Sequence, residues 1–280
     1  MMHDDNVISC REVTKQYPAQ LSMRAILSLR FRRMQKCVLD GVTFAVAPGE
    51  IFGIVGPNGA GKTTILKILS HLTTPTRGSA SICGYDIEKQ WNRAVRCIGY
   101  CISEERSFFW RLTGRQNLMF FADLLEVPGR IARERIGELF EMLELAEAAD
   151  ERFMNYSSGM KQKMAIARSL LADPQVLLMD EPTRGLDPRA ASRLRSFIGE
   201  YISTNDRAAI VTTNQIADIE HLCKRIAILD HGDIIARGTV PEITSLAREI
   251  VRTEQDVSFE QAFTIILERH EKALGTDPGE

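Results

Sequence analysis

The sequence predicts an α/β protein with a mainly parallel sheet, an antiparallel β part and an inserted helical block. Short, continuously apolar segments such as "IFGIVG" (51–56) are typical of strands that are covered on both faces. Segments with helical spacing alternate with these strands, which favours parallel pairing through helical connections. A strongly periodic helical stretch at about 104–160 interrupts the alternation and indicates an insertion.

The elements can be followed along the chain. "CVLDGVTFAVAPGE" alternates as a strand and turns at Pro48-Gly49, and "KTTILKILSHL" has helical spacing. "SASICGYDI" and "CIGYCIS" are further strand candidates. In the inserted block, Thr113 and Gln116 form a capping box, and a long amphipathic helix follows, with one apolar side formed by Ile136, Leu139, Phe140 and Leu143.

Strands return at "QVLLMD", "AAIVTT", "RIAILD" and "DIIARG", and the last two are joined by a His231-Gly232 turn. The remaining residues, about 40, are expected to be helical, with Ser258 and Gln261 as a second capping box. The segment "RAILSLRFRRMQK" (24–36) fits this scheme poorly. It is either a solvated surface elaboration or a basic amphipathic contact with a membrane surface or a membrane-bound partner.

Composition excludes several classes of protein. The 280 residues, 44% hydrophobic and 26% charged, can bury a substantial core and are not typical of disorder. A net charge of -2 gives no electrostatic reason to expect a nucleic-acid partner. The six cysteines form no CxxC pair, so we expect free thiols in a reducing cytosol. Because the sequence has neither a signal-peptide core nor an apolar run of roughly 18 to 20 residues, any membrane role requires a partner or the protein surface.

The segment "GPNGAGKT" (56–63), here called the P-loop, matches the phosphate-binding pattern G-x-x-x-x-G-K-[ST] between an apolar strand and a helix. Its glycines let backbone N–H groups surround phosphate oxygens, and the helix N-terminus adds its positive dipole end. Lys62 can reach the β- and γ-phosphates, and the Thr63 hydroxyl can ligate Mg²⁺. A chance glycine-rich turn is the alternative. The candidate nucleotide-binding residues are Gly56, Pro57, Asn58, Gly59, Ala60, Gly61, Lys62, Thr63 and Thr64.

Two further motifs lie downstream. In "VLLMDEP" (176–182) an apolar strand ends at Asp180, which is suited to hold Mg²⁺ through water, and Glu181 is a candidate general base. The alternative makes the two acids a helix cap before Pro182. In "YSSGMKQKMAIARSLL" (156–171), Ser157 and Gly159 open an amphipathic helix, which is either an anion site or an ordinary cap.

Together these segments resemble the ATP-binding cassette (ABC) family, specifically the nucleotide-binding subunit of a transporter, over residues 7 to 240. "YSSGM" stands in place of the family's Leu-Ser-Gly-Gly-Gln signature, and "TRGLDP" (183–188) corresponds to its D-loop. "ERSFFWRLTGRQNL" (105–118) is similar to multidrug, lipid and polysaccharide exporters. The resemblance implies a P-loop NTPase (RecA-like) core at 1–103 and 161–240, a helical subdomain at 104–160 and a helical tail at 241–280.

The resemblance also implies partners and cofactors. ATP with Mg²⁺ would lie between the P-loop of one subunit and the signature helix of a second ATP-binding subunit, in a homo- or heterodimer. Tyr17 occupies the place of the aromatic residue that stacks on adenine. A separate transmembrane permease would hold the subunit at the inner face of the membrane, on the cytoplasmic side. ATP would close the dimer and hydrolysis would reopen it, and the helical block, with "SFFWRL" near its start, would carry that motion to the permease.

Two positions depart from the family's pattern. Where the family carries a glutamine before the helical insertion, this chain has Ser103 or Glu104, and a carboxylate at Glu104 could ligate Mg²⁺. Asn214 stands where the family has a histidine that hydrogen-bonds the γ-phosphate. Asparagine can donate to a phosphate oxygen but is shorter and cannot become charged. We therefore list Asn214 beside Glu181 as a catalytic candidate.

The expected function is ATP hydrolysis that powers export through the permease. Two alternatives stay open at this point. One is a regulatory cassette that binds ATP and hydrolyses it weakly, which Asn214 and the missing glutamine favour. The other is a soluble ABC ATPase of DNA repair or translation, although such proteins usually carry coiled coils, zinc insertions or two cassettes, none of which is visible in the sequence.

Overall fold

The computed structural model describes residues 6–18, 35–102, 107–204 and 206–275. In chain order its strands and helices are β1 (Ile8–Pro18), β2 (Gln35–Val46), β3 (Ile51–Val55), α1 (Lys62–Leu69), β4 (Arg77–Ile82), β5 (Tyr85–Asp86), α2 (Trp91–Ala94), β6 (Ile98–Cys101), α3 (Gly114–Leu124), α4 (Gly129–Met142), α5 (Ser158–Leu170), β7 (Val176–Asp180), α6 (Pro188–Ser203), β8 (Ala208–Thr212), α7 (Ile216–Leu222), β9 (Arg225–Asp230), β10 (Asp233–Gly238), α8 (Val240–Val251) and α9 (Phe259–Leu274).

The larger sheet has six strands in the order β10-β9-β3-β8-β7-β6. All neighbouring pairs are parallel except β9 with β10, which form the predicted hairpin. The residues of β3 and β8 are buried throughout, which explains their continuously apolar sequences. Because β3, β7 and β8 are parallel, the loops that follow these strands emerge at the same edge, here called the carboxyl edge of the sheet.

The smaller sheet is antiparallel, in the order β2-β1-β4-β5. Phe44 of β2 stacks on Phe52 of β3 with ring centroids 5.2 Å apart, so the two sheets share a core. "SASICGYDI" is two strands rather than one, since positive φ angles at Cys83 and Gly84 turn the chain between β4 and β5. Both sheets together confirm the predicted α/β class with a parallel and an antiparallel part.

The helices α3 and α4 pack against α5 through one apolar cluster. It contains the predicted apolar side of α4, and the residues Ile136, Leu139, Phe140 and Leu143 are buried. The Thr113 capping box is formed in both directions. This packing explains the amphipathic sequence pattern of α4, since its apolar side is buried in the cluster.

The helices α8 and α9 pack against each other and contact β10, and the Ser258 capping box at the start of α9 is formed as predicted. Within the described residues, no helix combines the length and the apolar character needed to cross a membrane. Most of the basic segment 24–36 lies outside the described residues, so both interpretations of it stay open.

Candidate nucleotide site

The loop at 56–61 connects β3 to α1 and is shaped by its glycines. Gly61 has φ 113°, a left-handed conformation that favours glycine. A Cβ on Gly56 would lie 2.0 Å from the Leu229 carbonyl oxygen, so only glycine fits there. The turn of the β9–β10 hairpin supports the loop, because the Gly232 N–H donates to the Ala60 carbonyl at 3.1 Å. The predicted strand–loop–helix arrangement is therefore present.

Lys62 is buried at the first position of α1. Its ammonium donates to the Gly56 carbonyl at 2.5 Å, to the Pro57 carbonyl at 3.1 Å and to Asn214 Oδ1 at 2.9 Å. Burial lowers the pKa of Lys62, and the carboxylates of Glu181 and Asp180 oppose that shift. A buried cation on neutral acceptors can form stronger contacts with an anionic ligand.

Asp180 ends β7 beside the start of α1. Its Oδ2 accepts from Thr63 Oγ1 at 3.0 Å, and its Oδ1 accepts from Thr212 Oγ1 at 2.5 Å. Thr212 pairs with Asp180 across the β7–β8 ladder, so the parallel register brings the hydroxyl to the carboxylate. The two predicted Mg²⁺ ligands, Thr63 and Asp180, are thus adjacent.

Glu181 follows directly and turns the chain away from the sheet. It has φ 52°, and its N–H donates to the Thr212 carbonyl at 2.8 Å. Burial raises the pKa of the Glu181 carboxyl, while the Lys62 charge lowers it. On the other side, Gln162 of α5 donates to the Pro182 carbonyl at 2.8 Å, so the signature helix contacts the loop that carries Glu181.

Asn214 lies two residues beyond the end of β8 and faces the P-loop. Its Oδ1 accepts from Lys62, and its Nδ2 donates to Asn58 Oδ1 at 3.3 Å. The amide therefore bridges two P-loop side chains, and its donation to a phosphate oxygen stays a prediction. The neighbouring histidines lie elsewhere, as expected: His221 in α7 and His231 in the hairpin turn.

The remaining candidates are not brought into this cluster. Ser157 caps α5, its Oγ accepting from the Met160 N–H at 3.2 Å, and Gly159 lies beside Leu186. Tyr17 is near the end of β1, with the Lys15 ammonium 4.9 Å from its ring centroid. Its adenine contact stays a prediction. Ser103 and Glu104 lie outside the described residues.

Comparison with known proteins decides the family. The sequence model described as "ABC transporter" matches residues 39–184, which is 146 of 280 residues and so more than half of the chain. The chain belongs to the ABC transporter family. The doxorubicin resistance ATP-binding protein DrrA of Mycobacterium tuberculosis is 39% identical over 208 residues, 73% of this chain and 61% of that protein. The Nod factor export ATP-binding protein I of Burkholderia pseudomallei is 38% identical over 207 residues, 72% of this chain and 66% of that protein.

The chain therefore spans somewhat less than two thirds of the length of these curated relatives. Among solved structures, an ATP-binding subunit of an ABC transporter has a TM-score of 0.75 at 25% identity, covering 93% of this chain and 99% of its own. A dimeric ATP-binding cassette bound to ADP and Pi has a TM-score of 0.71 at 24% identity, covering 83% of this chain and 98% of its own. The expected membership and the P-loop NTPase fold are confirmed.

Several polar residues of this ABC site were missed by the sequence reasoning. They are Thr183, Gln162, Arg195, Thr212, Thr213 and Asp218. Thr212 and Thr213 directly precede Asn214, so the polar end of an apolar strand was the available signal. Gln162, Arg195 and Asp218 lie in helices with ordinary amphipathic sequences, and nothing in those sequences distinguishes them from surface polar residues.

Proposed function

We propose that this ABC subunit binds and hydrolyses ATP and so drives export through a separate membrane permease. The observation that carries the proposal is the cluster at the carboxyl edge, in which Lys62 contacts Asn214 and Thr63 contacts Asp180. The names of the relatives, which concern drug resistance and Nod factor export, support the direction of transport.

The loop at 56–61 and the start of α1 bind the triphosphate in this proposal. Backbone N–H groups of the loop and the helix N-terminus face the phosphate oxygens, and Lys62 supplies the charge. When ATP binds, the Lys62 ammonium exchanges its hydrogen bonds to Gly56, Pro57 and Asn214 for hydrogen bonds to phosphate. Because phosphate oxygens are charged acceptors, they offset the desolvation of the ammonium better than neutral acceptors do. Tyr17 is the proposed stacking partner of adenine.

Thr63 and Asp180 are the proposed Mg²⁺ ligands. A hydroxyl and a carboxylate oxygen 3.0 Å apart match the all-oxygen preference of this ion, which usually keeps waters and phosphate oxygens as its other ligands. When bound, Mg²⁺ neutralises charge on the phosphates. The described residues contain no group of three or more His, Cys, Asp or Glu suited to a metal. Glu104 remains a third candidate ligand.

Glu181 is the proposed general base for the attacking water. Burial raises the pKa of its carboxyl, which brings its proton affinity closer to that needed near neutral pH. Asn214 is proposed to hold Lys62 and Asn58 in place for the γ-phosphate, using both ends of its amide. Its role is then to orient the P-loop side chains, since an amide cannot accept a proton from water.

A second ATP-binding subunit completes the site in this proposal. Ser157 caps α5 and Gly159 lies in its first turn, and the N-terminus of this 13-residue helix can face an anion. These two residues would act on the ATP bound by the opposite subunit. The structural neighbour bound to ADP and Pi is itself dimeric, which supports a second subunit.

The proposed permease contact is an exposed aromatic patch formed by Phe109, Trp110 and Phe120. Phe109 and Phe120 contact each other edge to face at 4.7 Å, and the Lys161 ammonium of α5 lies 4.5 Å from the Trp110 ring centroid. The patch therefore adjoins the helix that carries Ser157. Large exposed apolar groups of this kind mark contacts with other proteins. The subunit would sit at the inner face of the membrane.

A regulatory cassette with slow hydrolysis is the second candidate. The observation that favours it is the Asn214 amide, which occupies Lys62 with a neutral acceptor and offers no ionisable group. The presence of Glu181 beside Asp180 argues for turnover. Measuring phosphate release by the full chain separates the two candidates.

Affinity purification of the tagged full chain from membranes tests the transport proposal. We expect a protein with several membrane-spanning helices to co-elute, and Trp110→Ser to reduce its recovery severalfold while ATP hydrolysis persists. Leu274→Ser is the matched control, because Leu274 is about as exposed, 52% against 47% for Trp110, but lies in α9. Equal recovery of the membrane protein with wild type, Trp110→Ser and Leu274→Ser would contradict the aromatic patch as the permease contact. The absence of any co-eluting membrane protein would contradict the proposal that the chain works with a permease.

A further inference from the structure

Behind the nucleotide site lies a polar network centred on Asp218 of α7. The side chain of Asp218 is fully buried. We propose that Asp218 is a positioning residue for ATP hydrolysis: paired with Arg195, it holds the loop carrying Glu181 and the loop carrying Asn214 in fixed relation. This inference rests on the roles proposed above for Glu181 and Asn214.

One oxygen of Asp218 joins the two loops. Its Oδ2 accepts from Thr183 Oγ1 at 2.7 Å and from Thr213 Oγ1 at 3.1 Å. Thr183 lies two residues after Glu181, and Thr213 immediately precedes Asn214. A single carboxylate oxygen therefore fixes the loops that follow β7 and β8 at the same point.

The loop that carries Asn214 is also fixed on its far side. The Gln215 N–H donates to Thr213 Oγ1 at 2.9 Å, and Gln215 Oε1 lies 3.1 Å from Thr183 Oγ1. Both neighbours of Asn214 thus belong to the network. Because Thr183 and Thr213 are almost completely buried, water cannot replace these bonds at low cost.

Arg195 of α6 supplies the countercharge. Its Nη1 donates to Asp218 Oδ1 at 3.0 Å, and its side chain is 13% exposed. A fully buried carboxylate requires such a partner, and removing one partner leaves the other charge uncompensated. Since Asp218 reaches the site through the two threonines, we expect its loss to affect the geometry of attack more than ATP binding.

The chain offers a matched control at the opposite edge of the sheet. Glu50 precedes β3, is 5% exposed and pairs with Arg225, whose Nε donates to Glu50 Oε1 at 2.7 Å. This pair joins the beginnings of β3 and β9 and has no part in the proposed site. Glu50→Gln therefore reproduces the loss of a buried carboxylate without disturbing the loops at Glu181 and Asn214.

The test compares Asp218→Asn and Glu50→Gln in the purified full chain, using the kcat and KM of MgATP hydrolysis and the melting temperature. We expect Asp218→Asn to lower kcat about tenfold to a hundredfold, because small displacements of reacting groups have effects of that size, with KM changed less than about threefold. Glu50→Gln should lower the melting temperature comparably and keep kcat within about twofold. Thr183→Ser keeps the hydroxyl that bonds Asp218 and should retain the wild-type kcat, whereas Thr183→Val removes that hydroxyl and should lower kcat as Asp218→Asn does.

A wild-type kcat in Asp218→Asn overturns the inference, and so does an equal loss of kcat in Asp218→Asn and Glu50→Gln. If Asp218→Asn does not fold, the two Thr183 variants decide, and equal kcat in them overturns it. Failure of the proposed function gives a different result, because Glu181→Gln then hydrolyses ATP at the wild-type rate. Asp218 could not then act by positioning Glu181, whatever the kcat of Asp218→Asn.

Discussion

The two edges of the six-stranded sheet differ in how their charged side chains are compensated. At the amino edge, where the parallel strands begin, charged residues are paired: Glu50 with Arg225, and Asp173 with Arg207 at 2.7 Å. The hydrogen bond that Arg225 donates to Glu50 raises the pKa of Arg225, so the charged form is stabilised. This edge has the character of a structural support.

At the carboxyl edge the charged forms of Lys62 and Glu181 are disfavoured, whereas the Asp218–Arg195 pair behind them is compensated. Burial lowers the pKa of Lys62 and raises the pKa of Glu181. Lys62 donates to two carbonyls and an amide rather than forming a close ion pair. The proposed nucleotide site therefore carries an electrostatic cost that a bound, charged ligand can offset, a feature typical of functional sites.

The largest expected effect is that of Lys62→Ala on nucleotide affinity. Removing the ammonium should weaken binding of a fluorescent ATP analogue about a hundredfold or more, because the phosphate charge loses its partner. The control is Lys224→Ala at the amino edge, where the ammonium donates to the Gly49 carbonyl at 2.7 Å. Its affinity should stay within about twofold of wild type. Equal affinities in the two variants would remove the functional difference between the edges.

Glu181→Gln should keep ATP binding and trap a closed dimer, because the nucleotide is held without being hydrolysed. Size-exclusion chromatography with MgATP should show a species of about twice the monomer mass. Glu50→Gln, which also neutralises a buried carboxylate, should behave like wild type. If the Glu181→Gln chain binds ATP but elutes only as a monomer, the proposal that a second copy of the chain completes the site is contradicted.

Asn214→His should keep the turnover rate or raise it, within about threefold, because a neutral imidazole can accept from Lys62 and can also become charged. Steady-state phosphate release measures this directly. A loss of tenfold or more would mean that the P-loop side chains require the asparagine amide.

The smallest effect concerns stability and pH. Because the folded protein raises the pKa of Glu181, this group contributes stability below its unfolded pKa, and the contribution is lost as pH rises through the folded value. At pH 8 the nucleotide-free Glu181→Gln chain should therefore melt about 1–2 °C above wild type. The difference should shrink toward pH 5. Glu50→Gln should melt below wild type at pH 8, and an increase there would contradict the contrast between the edges.

Much of the fold and of the phosphate-binding loop could be predicted because the signals are local. The P-loop, the apolar strands and the capping boxes each lie within a few consecutive residues, and the chain forms them as expected. Asp180 and Thr63 could be paired in advance only through a known family pattern. Their contact requires that α1 start beside the end of β7, which the strand order determines.

Contacts between distant segments could not be predicted in the same way. The Lys62–Asn214 bond joins residues 152 positions apart and depends on β3 lying next to β8. Asp218 looks like an ordinary polar residue of a short helix until the loops after β7 and β8 are brought together around it. Long-range polar networks of this kind have no local sequence signal.

The decisive measurement is phosphate release from MgATP by the purified full chain, compared side by side for wild type, Glu181→Gln and Glu50→Gln. We expect saturable release by wild type, a rate about a hundredfold lower in Glu181→Gln, and a rate within about twofold of wild type in Glu50→Gln. Equal rates in wild type and Glu181→Gln would contradict the assignment of hydrolysis to the carboxyl edge of the sheet.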